Sequence, residues 1–132
     1  MFYNCESLID INFTNCNTQN VTKMQYMFYG CRKLISLDVS NLIAHKIINM
    51  EYMFFRCGTL TNVNLCNFNT QNVTSMRFLF CECNSLNNLN IPNFITNNCD
   101  ITVIFQNCRK LKRKNVITKN KAILNKIMYD FY

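Results

Sequence analysis

Glycine and proline are almost missing from this chain, with two glycines and one proline in 132 residues. Something else must make its turns. The 23 asparagines are the available supply, because Asn tolerates left-handed backbone. Histidine is equally scarce: His45 is the single imidazole. No Ser, Cys or Asp stands at a recognisable spacing from it, so a nucleophile–base pair has no apparatus. Gly30 and Gly58 are isolated and form no phosphate-cradling loop. The acids are scattered, with no two in the same register of one repeat. These absences predict a non-enzyme with no catalytic residues and no cofactor. No apolar run approaches the ~18 residues that span a bilayer, which excludes a transmembrane helix. Nor does a basic stretch lead into an apolar one as in a signal peptide.

What the chain does have is apolar mass and order. Apolar residues make up 49% of it, enough for one domain with a real core. The net charge of +7 is unevenly spread. Residues 1–108 carry six basic and six acidic side chains, whereas residues 109–132 carry eight basic ones and only Asp130. The body is neutral and the C-terminal stretch is basic.

The order is a repeat. MFYNC, MFYGC and MFFRC open register units at residues 1, 27 and 53, and further units start at 79 and 104. One column reads Cys5, Cys31, Cys57, Cys83, Cys108, and three residues on stand Leu8, Leu34, Leu60, Leu86, Leu111. Phe2, Phe28, Phe54, Phe80 and Phe105 form a third column. A period of 20–50 residues with aligned apolar columns marks stacked repeats, since one unit cannot bury its own apolar face. Within each unit L-x-x-L-x-L ends in the alternation of a short strand, as in LISLDV and LTNVNL. An Asn-rich turn follows, and then V-x-x-M-x-x-x-F, whose three-and-four spacing predicts a short helical segment. The second unit departs, with LIAHKIINM where the third has FNTQNVTSM.

The fuller pattern, MF-x-x-C-x-x-L-x-x-L-x-L-x-N-F-x-T-x-N-V-T-x-M, resembles the leucine-rich repeats of BspA-like surface proteins, including a repeat of unknown function common in mycoplasmas and lactic acid bacteria. The resemblance runs from residue 1 to about 111. It implies an α/β solenoid of about four 26-residue coils, with a short parallel sheet on one side and short helical segments on the other. It also implies a non-catalytic protein-interaction or adhesion module at a cell surface, whereas an interior rich in thiols suits a reducing cytosol. One departure is that the recurring Asn (Asn15, Asn41, Asn67, Asn93) falls one place early. Cys16, Leu42, Phe68 and Phe94 fill the usual slot, which predicts an apolar spine there instead of a buried asparagine ladder.

The nine cysteines admit three readings. Five in one column beside Phe and Leu suit buried thiols packing as small hydrophobes. Cys16, Cys66, Cys81 and Cys99 lie off the column and are the candidates for disulfides. Cys81 and Cys83 form a C-x-C, a poor tetrahedral clip, and His45 lies more than one repeat away, so no metal ligand is assigned. The three N-x-T sequons at Asn12, Asn20 and Asn72 arise from the repeat itself and suit capping and turn formation, or glycans in a secreted chain.

The outward strand positions should form one face: Asp10 and Asn12, Ser36 and Asp38, Asn62 and Asn64, Asn88 and Asn90, flanked by Ile9, Ile35, Thr61 and Asn87. This amide-rich, faintly acidic strip is the candidate partner face, or an ordinary solvated surface. No aromatic or arginine stands in those columns. The expected partner is a protein, and nothing in the sequence bears on oligomeric state.

Residues 1–111 form the repeat unit and 112–132 a basic C-terminal segment. There Ile123, Leu124, Ile127, Met128 and Phe131 share a helical stripe, predicting a helix that caps the last core. The rival reading is a basic arm for nucleic acid or acidic membrane, although no aromatic residues interleave with RKLKRK. At the other end Met1 holds the register position of Met27 and Met53. This predicts a segment of a longer array, structural or remnant, with Leu8, Ile11 and Phe13 facing water.

Overall fold

In the computed structural model, which describes residues 1–129, residues one period apart are neighbours along two separate lines. On the first, β1 (Ser36–Asp38), β2 (Asn62–Asn64), β3 (Asn88–Asn90) and β4 (Val116–Ile117) form a parallel sheet in the order β1-β2-β3-β4. The register is set by sequence period: Leu37 pairs with Val63, Val63 with Leu89, and Leu89 with Val116. These four side chains are buried, while their neighbours in each strand point outward. The strand alternation read from L-x-x-L-x-L is therefore present.

The second line corrects the expected helical segments. Residues 24–31 and their equivalents are consecutive turns bridged between repeats, not helices. The N–H groups of Met24, Tyr26, Phe28 and Gly30 donate to the carbonyls of Asn49, Glu51, Met53 and Phe55 one repeat on. The intervening N–H groups of Met27, Tyr29 and Cys31 donate back three residues, to Met24, Tyr26 and Phe28. Tyr26, Tyr52, Phe78 and Val103 have φ of 57°, 56°, 56° and 53°, and Asn4, Gly30, Arg56, Glu82 and Asn107 form a second left-handed column. A helix cannot pass through such residues. Two left-handed residues four apart reproduce the three-and-four apolar spacing through successive turns. Among these nine only Gly30, Asn4 and Asn107 belong to residue types that adopt left-handed backbone readily, so the asparagines are not the chief source of it.

Asparagine serves instead through its side chain. Asn64 and Asn69 accept from the N–H groups of Cys66 and Gln71 two residues on, closing local turns. Asn67 donates to the Ser40 carbonyl and Asn93 to the Cys66 carbonyl, tying each turn to the preceding repeat from an exposed position. The expected apolar spine lies beneath them at Leu42, Phe68 and Phe94, which are buried, but not at Cys16, which is exposed in the first repeat. Thr70, also buried, exchanges two bonds with the backbone of Ile95. In the aberrant second unit Ala44 and Ile47 occupy the slots of Thr70 and Val73 and are likewise buried.

Between the two lines runs the Phe column. Phe2, Phe28, Phe54, Phe80 and Phe105 stack with centroids 5.5, 5.5, 5.2 and 5.7 Å apart and ring planes within 13° of parallel. Offset stacks of this kind contribute roughly 0.5–1.5 kcal/mol per pair beyond area burial. At the first repeat, Phe13 does not face water as expected. It is buried, its ring edge-on to Phe2 and Phe28. Leu8 and Ile11 pack partly against the same core.

The sheet continues past Leu111, where the repeat unit was expected to end. A 3₁₀ turn at Arg113–Asn115 delays the chain, and Val116 then enters the strand column with a spacing of 27 from Leu89. After it comes α1 (Lys121–Tyr129), whose Ile123 and Ile127 are buried in the common core with Leu124 beside them. Phe131, expected on the same stripe, lies outside the described residues, as does the Met128 side chain. Asn120 links this helix to the repeats. Its Oδ1 accepts from the Ile123 N–H at 3.2 Å, and its Nδ2 donates to the Phe94 carbonyl and the Thr96 hydroxyl. Replacing Asn120 by Ala should lower stability by about 1–3 kcal/mol, read as a shifted urea midpoint, because a cap and two inter-repeat bonds are lost together.

Candidate functional site

The eight residues expected on one face do share it. Ser36 and Asp38 lie on β1, Asn62 and Asn64 on β2, and Asn88 and Asn90 on β3, with Asp10 and Asn12 exposed in the first repeat beside them. Because the register is one full period, like amides meet across strands. Asn90 Nδ2 donates to Asn64 Oδ1 at 2.9 Å, and Asn64 Nδ2 donates to Asp38 Oδ1 at 3.3 Å. In the parallel column Asn88 donates to Asn62 at 2.7 Å, and Asn62 to the Thr61 hydroxyl at 2.9 Å. Asn62 and Asn64 thereby both donate and accept, Asn88 and Asn90 each donate one N–H, and every amide keeps a second N–H that these bonds do not use. The side chains are held in place before any partner arrives, which lowers the entropy lost on binding.

The oriented amides point their N–H ends toward Asp38. The Ser40 hydroxyl and backbone N–H, together with Asn64, hold the Asp38 carboxyl below the ordinary carboxylate value. Over the strands lies an open trough of about 480 Å³, lined by the outward residues of β1–β3 and also by Lys114, Asn115 and Ile117. These last three were missed from the sequence, which placed them in the basic tail. Asn115 is bound into the face by its bond to Asn87 Oδ1 at 2.7 Å. The signal for them was the β-branched pair Val116–Ile117, hidden because it comes one residue late.

The cysteine column packs and does one further thing. Cys31, Cys57, Cys83 and Cys108 are buried and Cys5 half-buried. Their thiols donate to the carbonyls of Phe2, Phe28, Phe54 and Phe80 at 3.2, 3.0, 3.0 and 2.9 Å, each one repeat back. A cysteine here offers apolar bulk and a weak donor at once. None of the nine cysteines is in a disulfide, and the pairing considered for Cys16, Cys66, Cys81 and Cys99 is not formed. Burial pushes the Cys31 thiol up to about 11, with Cys5 adding to it, and raises those of Cys57 and Cys83 as well. Such thiols are poor nucleophiles at neutral pH. Among the described residues, no three His, Cys, Asp or Glu side chains converge as metal ligands, and no helix is long and apolar enough to cross a membrane.

A second surface feature was also missed. Tyr3, Tyr29 and Phe55 stack at 4.8 and 5.1 Å, and Tyr26, Tyr52 and Phe78 at 5.0 and 4.7 Å, on the turn side. Arg56 lies over Phe55 and Arg77 over Phe78. The rings face one another and turn their edges outward, so their contacts are chiefly between repeats. The sequon asparagines are exposed, and two serve the same end: Asn20 accepts from Lys46 and Asn72 donates to the His45 carbonyl, whereas Asn12 accepts from the Thr14 N–H within its own turn.

With this geometry in view, the comparisons with known proteins are short. The family described as "Mycoplasma protein of unknown function, DUF285" matches residues 1–119, and the chain belongs to that family. No curated protein and no solved structure matches the chain. The match extends past Leu111 and takes in β4.

Two outcomes follow from the charge states. Thiol labelling of the native protein should spare Cys31, Cys57, Cys83 and Cys108, and all nine should react only after denaturation. Below about pH 9 the Cys31, Cys57 and Cys83 thiols are protonated in both folded and unfolded chains. Above it the unfolded chain ionises first, so melting temperature should fall as pH rises from about 9 through 11. Separately, Ser40→Ala should raise the Asp38 pKa toward its ordinary 3.8, read by carboxyl NMR titration. An unchanged value would remove the Ser40 hydroxyl as the principal cause.

Proposed function

We propose that the chain is a leucine-rich-repeat-like solenoid of the BspA-like kind. In this reading it acts as a non-catalytic protein-interaction module of a surface-type repeat protein and meets its partner on the strand face. The observation that carries the reading is the amide ladder: Asn62, Asn64, Asn88 and Asn90, aligned one period apart and bonded to one another above an open trough. Amides fixed in this way present donors and acceptors at the inter-strand spacing of about 4.8 Å, which suits the backbone groups of a polypeptide. Buried, protonated thiols and scattered acids support a binding role over a catalytic one.

The test is selection from a phage-displayed random peptide library on the immobilised protein. Binders should be recovered, and the double variant Asn64→Arg/Asn90→Arg should weaken their retention about tenfold or more, some 1.4 kcal/mol. Lys46→Glu, away from the strands, should leave retention unchanged, and melting curves should show both variants folded. Retention that ignores the face variant would overturn the strand face as the partner site.

A further inference from the structure

The strand face carries charge of opposite sign at its two ends that no ion pair takes up among the described residues. Six acids lie in residues 1–108, and four are engaged elsewhere. Glu6, Glu82 and Asp100 pair with Arg32, Arg56 and Arg77 at 3.6, 2.9 and 3.5 Å, and Glu51 accepts from the Ser75 hydroxyl at 2.6 Å. The remaining two, Asp10 and Asp38, have no cation within ion-pair distance among the described residues. Both line a depression that runs into the trough, since Ser36 and Asp38 border each of them. At the far end of the trough stands Lys114, exposed on the 3₁₀ turn, with no acid in ion-pair distance among the described residues. Between these ends the lining is neutral amide and apolar.

Resting on the strand face as the partner site, we infer that its partner is an extended polypeptide segment lying across the strands. A basic side chain of the segment meets Asp10 and Asp38, and an acidic side chain meets Lys114. The scale follows from the register. From β1 to β4 are three inter-strand steps, roughly 14 Å, and Lys114 stands three residues before Ile117, the counterpart of Asp38, roughly 10 Å along the strands. The charges are thus roughly 17 Å apart, and at about 3.3 Å per residue of extended chain some five residues separate them. The amides between them meet backbone N–H and C=O groups. Charge complementarity at both ends fixes the direction of the segment and disfavours wrong partners. A polyanion following the same trough would run onto Asp10 and Asp38, so nucleic acid fits this face poorly.

The same random peptide library supplies the test, read by sequencing the selected peptides. The native protein should enrich peptides with one acid and one base about five residues apart. Lys114→Glu should abolish the preference for the acid and select a second base. The double variant Asp38→Lys/Lys114→Glu should restore the mixed pattern. Both variants should remain folded, with a single cooperative melting transition, because neither side chain is buried. A charge pattern unmoved by Lys114→Glu overturns the inference. So does enrichment of acids alone, or tighter binding of a short single-stranded DNA oligonucleotide lost with Lys112→Ala/Lys114→Ala. If binders are lost in Asn64→Arg/Asn90→Arg but show no charge pattern, this inference falls and the strand face stands. If binders ignore every variant on the face, both fall.

Discussion

Backbone hydrogen bonding between residues one period apart is the constraint on which the rest depends. It operates on two lines, through the strands and through the turn segments opposite them. On the turn line alternate N–H groups leave for the next repeat while the intervening ones close local turns. A buried backbone donor without a partner would cost about 1–3 kcal/mol, so this division leaves little freedom in how each 26-residue unit can run. It also forces like residues to face like, since the neighbour of any side chain is its own counterpart one period away.

Each unusual choice in the sequence follows from that confrontation. Phenylalanine can stack on phenylalanine without limit, and the Phe column does so at nearly constant spacing. Cysteine can donate to a carbonyl one repeat back while filling an apolar slot, which neither alanine nor serine does equally. Tyr26, Tyr52 and Phe78 hold left-handed backbone with their rings stacked one repeat apart, and Val103 holds it in the same column without a ring. On the strand face the same rule gives an amide ladder, because asparagine is complementary to itself as donor and acceptor. Charge is the exception. Like charges in one column would repel, and the body places Arg32 against Glu6 and Arg56 against Glu82 in adjacent units instead.

For function, the important consequence is that the strand face is both ordered and unsaturated. Its amides are fixed by one another yet keep bonding capacity, and its charged ends lie in the first repeats and on the turn before β4. The last part of the face comes from residues 114–117, in the segment that composition marks as a basic tail. Leu111 and Val116 are buried there, so the basic side chains are carried on the last unit of the sheet and not on a detached arm.

The period, the three columns of five residues and the outward strand residues were all legible in the sequence, because register is a one-dimensional property and apolar columns record it directly. So was the burial of the central cysteines, which share that register with Phe and Leu. Three things were decided only in three dimensions. The segment around Met50 and Met76 is turns and not helix, since apolar spacing of three and four does not distinguish a helix from paired left-handed turns; φ does. The sheet gains a fourth strand because a 3₁₀ turn absorbs the two extra residues between Leu111 and Val116, which a fixed period cannot show. The opposed charges at the ends of the trough emerge only once Glu6, Glu82 and Asp100 are seen paired with arginines, leaving Asp10, Asp38 and Lys114 along one face. Sequence assigns charge to residues, but which charges remain available is set by who their neighbours become.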